Sequence, residues 1–194
     1  MTEKQRYHHG DLRNALLNAA LELLAQAGAG GLSIRGVAQK AGVSHAAPAY
    51  HFPTLKSLVT ALSKIGFELF EKSIADATAK APSDPASQMQ AASDGYISFA
   101  QAQPELFRLM FSASASDWTD EALRTSANKA RQQLRAICAP ASAYLKRESE
   151  EAKTQFENLV WSSIHGYAHL VIEGQISGEP GCPSPAPLNI STLI

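Results

Sequence analysis

The amino-acid sequence predicts an all-α fold, and two observations carry that prediction. Apolar residues recur at helical spacing along most of the 194 residues, and no run alternates apolar and polar residues long enough to indicate a sheet. Breaks such as "AGAGG" and "APSDPAS" separate the helical stretches. With 45% hydrophobic residues, the chain can bury a substantial core. We therefore expect a group of short N-terminal helices joined by a long helix to a C-terminal helical bundle.

Caps and apolar stripes place these helices in order. In the N-terminal part they predict a helix from an Asp11 cap to Ala27 that ends at Gly28, a short helix over 33–40 capped by Ser33, and a long helix over 54–80 capped by Thr54. In the C-terminal part they predict helices over 86–102, 104–111, 120–144 with a kink at Pro140, and 149–176. The Pro-rich tail, residues 179–194, is expected to be mostly irregular.

The stretch "VAQKAGVSHAAPAYHF", residues 37–52, has the pattern of a helix-turn-helix. Gly42 permits the sharp turn, Ser44 is expected to cap a second short helix, and Pro48 should shorten or tighten that helix. A helix that enters a DNA major groove, which is about 12 Å wide, must be slim and must carry hydrogen-bonding groups for base edges. Ala46 and Ala47 would provide the slim edge, and His45, Tyr50 and His51 the hydrogen-bonding groups.

Charge and composition favour a cytoplasmic protein that contacts DNA and argue against a membrane protein. Residues 1–56 hold six Lys or Arg against three acids, a net charge of +3, whereas the remaining residues carry −4. A basic N-terminal part suits contact with a polyanion such as DNA. Cys138 and Cys182 lie far apart outside any CxxC motif, so we expect reduced thiols in a cytoplasmic protein. No apolar run approaches the length of roughly 20 residues that a membrane helix needs, and no signal peptide is expected.

At this point the sequence resembles a known family. The run "ALLNAALELLAQAGAGGLSIRGVAQKAGVSHAAPAYHFPTLKSLVTAL" is similar to the DNA-binding domain of the tetracycline-repressor (TetR/AcrR) family of bacterial transcriptional regulators. "PELFRLMF" and "VWSSIHG" resemble the ligand-binding half of a branch named for a Trp-His-Gly signature, here Trp161, His165 and Gly166. Two positions depart from the pattern. The usual Tyr position is Ala49, with Tyr50 next to it, and the usual Lys position is Leu55, followed by Lys56.

The resemblance implies a ligand-responsive transcriptional regulator, more specifically a repressor, that binds a palindromic operator as a homodimer and needs no cofactor. It implies a DNA-binding domain over 1–56 with its helix-turn-helix at 33–52, a connecting helix over 57–80, a ligand-binding and dimerisation domain over 81–178, and the tail over 179–194. The last two long helices would pair with their copies in a four-helix interface. The expected DNA-contacting residues are Ser33, Arg35, Ser44, His45, Ala46, Ala47, Tyr50, His51 and Lys56.

Several of these residues have a second, structural interpretation. Ser33 and Ser44 could be plain helix caps, or caps whose helix N-termini also meet a phosphate. Arg35 could be a solvated surface charge, and Tyr50 could belong to the core. His8, His9 and Asp11 could bind a metal, but adjacent histidines near a chain end more often form a polar arm, so we expect no metal there.

The candidate ligand-binding residues of the C-terminal half are Tyr96, Phe99, Phe107, Met110, Phe111, Trp161, His165 and His169. The aromatic residues among them and Met110 would by default be core, with a few lining a cavity for a small-molecule effector. His165 and His169 are four residues apart on one helix and so share a face. They could pack against a neighbouring helix, line the ligand pocket, or bind a metal, although "HGYAH" lacks the Glu of the HExxH hydrolase signature.

Two other functions remain open at the level of sequence. One is a helical ligand-binding or adaptor protein with weakened DNA binding, suggested by the shifted Tyr50 and Lys56. The other is an all-α enzyme that uses His165 and His169 with a metal. No Ser-His-Asp, Cys-His or paired-carboxylate arrangement at catalytic spacing and no phosphate-binding Gly loop stands out, so we expect no catalytic residues.

Overall fold

A computed structural model describes residues 9–176 and 188–193, and every regular element within them is helical. This confirms the all-α prediction. The α-helices are α1 His9–Ala27, α2 Ile34–Lys40, α3 Leu55–Thr78, α4 Pro85–Ala102, α5 Pro104–Met110, α6 Glu121–Tyr144 and α7 Glu150–Ile172. Three 3₁₀ turns cover Ala29–Gly31, Ala47–Tyr50 and Ile190–Leu193.

Most helix ends lie where local caps predict them. Ser33 caps α2, and the Ser149 hydroxyl caps α7 by accepting a hydrogen bond from the Ala152 amide at 3.1 Å. At the start of α3, the Thr54 hydroxyl accepts from the Ser57 amide at 3.0 Å, and the Ser57 hydroxyl accepts from the Thr54 amide at 3.2 Å. The predicted Asp11 cap is wrong, because α1 begins two residues earlier. α3 and α7 also end two and four residues before the predicted positions.

The chain divides by its internal contacts into two units. The N-terminal unit contains the described residues up to Gly66 together with Glu105–Arg124, and the C-terminal unit contains Phe67–Pro104 and the described residues from Thr125 onward. From the sequence we expect one ligand-binding domain over residues 81–178. Within that range, residues 105–124 pack with the N-terminal unit. Helices α3 and α6 each contribute to both units.

Each unit has its own apolar core. The largest fully buried side chains of the N-terminal unit come from α1, α2, α3, α5 and α6, among them Leu16, Leu24, Val37, Leu58, Leu62, Phe107, Met110 and Leu123. In the C-terminal unit, Met89 of α4 and Phe156 and Val160 of α7 are buried. There α4 crosses closely over α3 at Gly95, where a Cβ atom would lie 2.8 Å from the Ser73 carbonyl oxygen. Gly95 is therefore required by packing.

The described residues 188–193 of the predicted tail include one short regular turn. Residues 177–187, most of the predicted irregular tail, lie outside the described residues. Ile190–Leu193 form a 3₁₀ turn, and Ile190 is only 1% exposed. Because most of the tail lies outside the described residues, its irregularity stays a prediction. Among the described helices, none combines the length and apolarity needed to cross a membrane.

Candidate functional sites

The helix-turn-helix begins with a well-capped α2 and a tight turn. The Ser33 hydroxyl accepts a hydrogen bond from the Gly36 amide at 3.0 Å. At the other end of α2, the Val43 amide donates to the Ala38 carbonyl at 3.0 Å, and Gly42 adopts a φ of 69°. This is a Schellman ending, in which a glycine takes the left-handed position that side chains disfavour. The local chemistry of residues 33–43 therefore fixes the turn that the sequence predicts.

The second element of the motif is a 3₁₀ turn over Ala47–Tyr50 rather than an α-helix. Pro48 lacks the amide hydrogen that an early helical bond would use, which confirms that it tightens the element. The prediction that Ser44 caps this element is wrong. Ala46 occupies the cap position and no side chain bonds there, while Ser44 contributes only its carbonyl, which accepts from the Ala47 amide at 3.0 Å.

Two buried residues fix this turn to the rest of the N-terminal unit. Pro48 and Phe52 are buried, and the Phe52 amide donates to the Pro48 carbonyl at 2.7 Å. The Arg13 guanidinium of α1 lies over the Phe52 ring, 5.5 Å from its centroid. Next to Phe52, the Nε2 atom of His51 is buried without a hydrogen-bond partner in the described part of the chain. The His51 ring thus directs this nitrogen inward.

Most of the remaining predicted DNA-contacting residues are exposed. Tyr50 is 86% exposed and touches the His51 ring edge-on, with the ring centroids 5.1 Å apart, so it does not belong to the core. Tyr50 reaches solvent, and so does Ala49, which occupies the usual Tyr position. Ala47 and His51 are partly buried, and the exposed residues are Ser33, Arg35, Ser44, His45, Ala46 and Lys56.

The candidate ligand-binding residues fall into two groups that lie in different units. Phe107, Met110 and Phe111 belong to the N-terminal unit, where the rings of Phe107 and Phe111 are 5.0 Å apart. Tyr96, Phe99, Trp161, His165 and His169 belong to the C-terminal unit. Core placement holds for most of these aromatic residues, but it is wrong for Trp161, which is 39% exposed.

Within the C-terminal unit, Tyr96 and His165 form the central polar contact of an aromatic cluster. The Tyr96 hydroxyl lies 2.6 Å from Nδ1 of His165. The His165 ring also contacts the rings of Trp161 and His169, at centroid distances of 6.0 and 4.6 Å. Phe70 of α3, which sequence reasoning missed, packs edge-on against Tyr96 at 4.6 Å. In the sequence, the only indication that Phe70 is buried was its position among the apolar residues of α3.

Both members of this polar contact are uncharged near neutral pH. Burial, together with the nearby His169, lowers the pKa of His165 to about 4, and burial raises the pKa of Tyr96. A metal at His165 and His169 would need at least one more ligand. Among the residues that the structure describes, no group of three or more His, Cys, Asp or Glu side chains could hold a metal ion. His8 lies outside the described residues.

The helix-turn-helix in one unit and the aromatic cluster in a separate helical unit define a class, that of DNA-binding regulators with a ligand-binding domain of their own. Residues 16–62 match the family description "Bacterial regulatory proteins, tetR family", and residues 89–185 match "Tetracyclin repressor-like, C-terminal domain". The chain belongs to the tetR family. It is thus a helix-turn-helix transcriptional regulator with a ligand-binding C-terminal domain, and its fold is that of a regulator rather than an enzyme.

Solved structures share this fold over nearly the whole chain. A protein with unknown function from Rhodococcus sp. RHA1 is 30% identical, with a TM-score of 0.79 over 98% of this chain and 94% of that chain. PfmR, a TetR family transcriptional regulator from Thermus thermophilus, is 16% identical, with a TM-score of 0.61 over 92% and 91% of the two chains. AibR, solved in complex with isovaleryl coenzyme A and operator DNA, is 16% identical, with a TM-score of 0.58 over 84% and 97%. No curated protein matches the chain.

Proposed function

We propose that the protein is a cytoplasmic repressor that binds a palindromic operator as a homodimer and leaves it when a small-molecule effector binds the C-terminal unit. The observation that carries this proposal is the exposed face of the helix-turn-helix. Tyr50 is 86% exposed on a turn that Pro48 and Phe52 fix to the unit beneath it. A rigid, exposed aromatic residue flanked by hydrogen-bonding groups is suited to recognition of base edges.

The residues of this face would have different tasks in the complex. Arg35 and Lys56 are exposed cations and would contact phosphates, which positions the protein but carries no sequence information. His45 and Tyr50 would read base edges, and Ala46 leaves room for the close approach that such contacts require. Ser33 caps the N-terminus of α2, and Ser44 precedes the 3₁₀ turn, so both would lie near the DNA backbone.

Dimerisation is supported by the exposed face of α7. Leu159 and Leu170 are 50% and 40% exposed and lie on one side of the helix, with the small residues Ser162 and Gly166 between them. A Cβ atom added to Gly166 would meet nothing within 4 Å in a single chain. Such a face suits a second copy of itself across a two-fold axis. To bind a palindromic operator, the dimer would need its two recognition turns about 34 Å apart, one turn of DNA.

The polar contact between Tyr96 and His165 is our candidate for effector recognition. Trp161, His165 and Gly166 all lie in α7, and we assign the C-terminal half to the Trp-His-Gly branch on these residues. AibR, which shares this fold, was solved with both isovaleryl coenzyme A and operator DNA, and this supports a protein that binds an effector as well as DNA. If effector and operator bind different arrangements of the protein, each must weaken the affinity for the other by the same factor.

Selection of genomic DNA fragments by the purified chain tests this proposal. We expect enrichment of one palindromic sequence, whose affinity falls steeply with salt because Lys and Arg side chains displace counterions from the phosphates. A scrambled fragment of equal length and composition is the control. Equal binding to the palindrome and to the scrambled fragment at every salt concentration would contradict the proposal and favour the adaptor alternative.

A further inference from the structure

The end of the chain is attached to the C-terminal unit through the side chain of Gln90. The Gln90 amide nitrogen donates to the Leu188 carbonyl at 3.0 Å, and the Gln90 amide oxygen accepts from the Ile190 amide at 3.0 Å. We call residues 188–193 the C-terminal strap. Its 3₁₀ turn contacts both α4 and α7, and its Ile190 side chain is 1% exposed. The strap therefore covers the region where these two helices meet.

A buried hydroxyl without a partner lies next to this attachment. Ser93 of α4 is 0% exposed, and its Oγ atom has no hydrogen-bond partner within residues 9–176 and 188–193. It is three residues after Gln90 and three before Tyr96, so the helix places it between them, about 60° from each. Gly95, which packs against α3, lies on the opposite side of α4. Ser93 thus belongs to the face that meets the strap and α7.

An unpartnered buried hydroxyl lowers the stability of a folded protein unless a bound molecule supplies its hydrogen bond. Within the C-terminal unit, Ser93 shares its helix face with the hydrogen bond between Tyr96 and His165. We infer that Ser93 and this Tyr96–His165 pair form the binding position of an uncharged effector, and that the C-terminal strap is the cover that opens to admit it. This inference rests on the proposed ligand-responsive function and adds the chemical class of the ligand.

The class of ligand follows from the charges and rings of the site. The buried polar residues in the described part of the C-terminal unit are Ser93, Ser126 and Ser142, none of which carries a charge. A charged ligand would lose its hydration beside Ser93 and Tyr96, where neither hydroxyl carries a compensating charge. The rings of Phe70 and Phe99 pack edge-on at 5.6 Å beside Tyr96. The site therefore suits an aromatic or similarly apolar molecule that carries one hydroxyl or carbonyl group.

The strap is suited to act as a cover because it is short and lies outside the main helices. Ser93 is fully buried, so a ligand can reach its hydroxyl only if neighbouring residues move. The strap forms a single 3₁₀ turn, and both hydrogen bonds from Gln90 end on its backbone. Opening it breaks these two bonds and exposes Ile190, whereas moving α4 or α7 would disrupt the core around Phe156.

Titration of the full-length protein with benzyl alcohol, followed by amide chemical shifts and in the absence of DNA, tests the site. We expect benzyl alcohol to bind and the anion benzoate not to bind. Ser93→Ala should weaken benzyl alcohol binding about fivefold, as expected for one lost hydrogen bond, while it raises the resistance of the free protein to urea. Ser98→Ala, an exposed change on the same helix, is the control.

Gln90→Ala tests the cover. It should tighten benzyl alcohol binding and speed hydrogen exchange of the Ile190 amide, because the strap opens more often. Three results would overturn the inference: no benzyl alcohol binding up to its solubility limit, equal binding of benzoate, or a stabilised Ser93→Ala protein with unchanged affinity. Unchanged affinity in Gln90→Ala would overturn the role of the strap. Operator binding of the same variants is measured separately. Failure to bind an operator would contradict the repressor proposal, whereas failure to bind benzyl alcohol would contradict the inference about the ligand.

Discussion

The hydroxyl groups of Ser63 and Ser116 lie 2.7 Å apart, and both side chains are buried. Ser63 belongs to α3, the helix that follows the helix-turn-helix, and Ser116 belongs to the loop before α6. One turn earlier on α3, the Thr60 hydroxyl accepts a hydrogen bond from the Asp117 amide at 2.8 Å and donates to the Lys56 carbonyl at 2.8 Å. These bonds fasten the loop to α3 within the N-terminal unit.

The first prediction concerns this attachment. Ser63→Ala should lower the free energy of unfolding by about 1–2 kcal/mol, because it leaves the Ser116 hydroxyl buried without a partner. The double change with Ser116→Ala should cost less than the sum of the two single changes. Urea unfolding measures all three. Ser114→Ala, an exposed change in the same loop, should be neutral, and strictly additive effects would show that the two hydroxyls do not interact.

These contacts also show where prediction from sequence ends. Ser33 and Thr54 could be predicted as caps because a cap is decided by residues within one turn of the helix. Ser116 lies between the helices predicted over 104–111 and 120–144, but nothing local shows that it meets a residue 53 positions earlier. The strap was missed for the same reason, since Gln90 is 98 and 100 positions from its partners.

The helix-turn-helix was predictable in sequence but only partly in geometry. The turn at Gly42 follows from its own sequence, and the structure has it as predicted. The element after it was misjudged, because Ser44 resembles a helix cap whereas Pro48 prevents the regular helix that such a cap would begin.

Ser33 and Ser44 form a matched pair for the second prediction. Ser33→Ala removes the cap of α2 and should lower the free energy of unfolding by about 1 kcal/mol. Ser44→Ala should leave stability unchanged, because no side-chain cap bond exists at the 3₁₀ turn. Urea unfolding and operator binding of both variants provide the measurement. If Ser44→Ala destabilises the protein as much as Ser33→Ala, the Ser44 hydroxyl does form a stabilising bond, contrary to this prediction.

The third prediction separates phosphate contacts from base contacts. Arg35→Ala should weaken binding to all DNA sequences alike and reduce the slope of log affinity against log salt by about one unit. Tyr50→Ala should cost about 1–3 kcal/mol on the operator only and leave that slope unchanged. Both residues are exposed, so neither change should affect folding. A wild-type slope in Arg35→Ala would remove that residue from the set of phosphate contacts.

The fourth prediction tests the proposed dimer face on α7. Leu159→Glu should convert the dimer to a monomer at micromolar concentration, because it would bury an unpaired charge in the seam. Gln26→Glu, which adds a negative charge to an exposed position of α1, should leave the dimer intact. Sedimentation measures the mass, and operator affinity should fall with the dimer. A wild-type protein that sediments as a monomer, with or without operator DNA, would contradict the proposal.

The fifth prediction follows from the lowered pKa of His165, which is about 4 in the folded protein because of burial and the neighbouring His169. In the unfolded chain the pKa of a histidine is about 6.5. Between these two values the unfolded state binds more protons than the folded state, so stability must fall as the pH decreases from about 6.5 to about 4. Neutral His165 keeps its contact with the Tyr96 hydroxyl above this window and stabilises the fold there.

Replacing the group that titrates isolates this effect. His165→Gln retains a side chain that can hydrogen-bond to Tyr96 but cannot be protonated in this range. From pH 7 to pH 4, the wild-type protein should lose about 2 kcal/mol more stability than the variant, a value that allows for the solvent reaching the half-buried ring. His169→Gln is the matched control, and it should raise the pKa of His165 by removing a nearby positive charge.

Urea unfolding at constant ionic strength across this range provides the measurement. Parallel losses in wild type and His165→Gln would mean that His165 titrates alike in the folded and unfolded states, and that its burial beside Tyr96 does not keep it neutral.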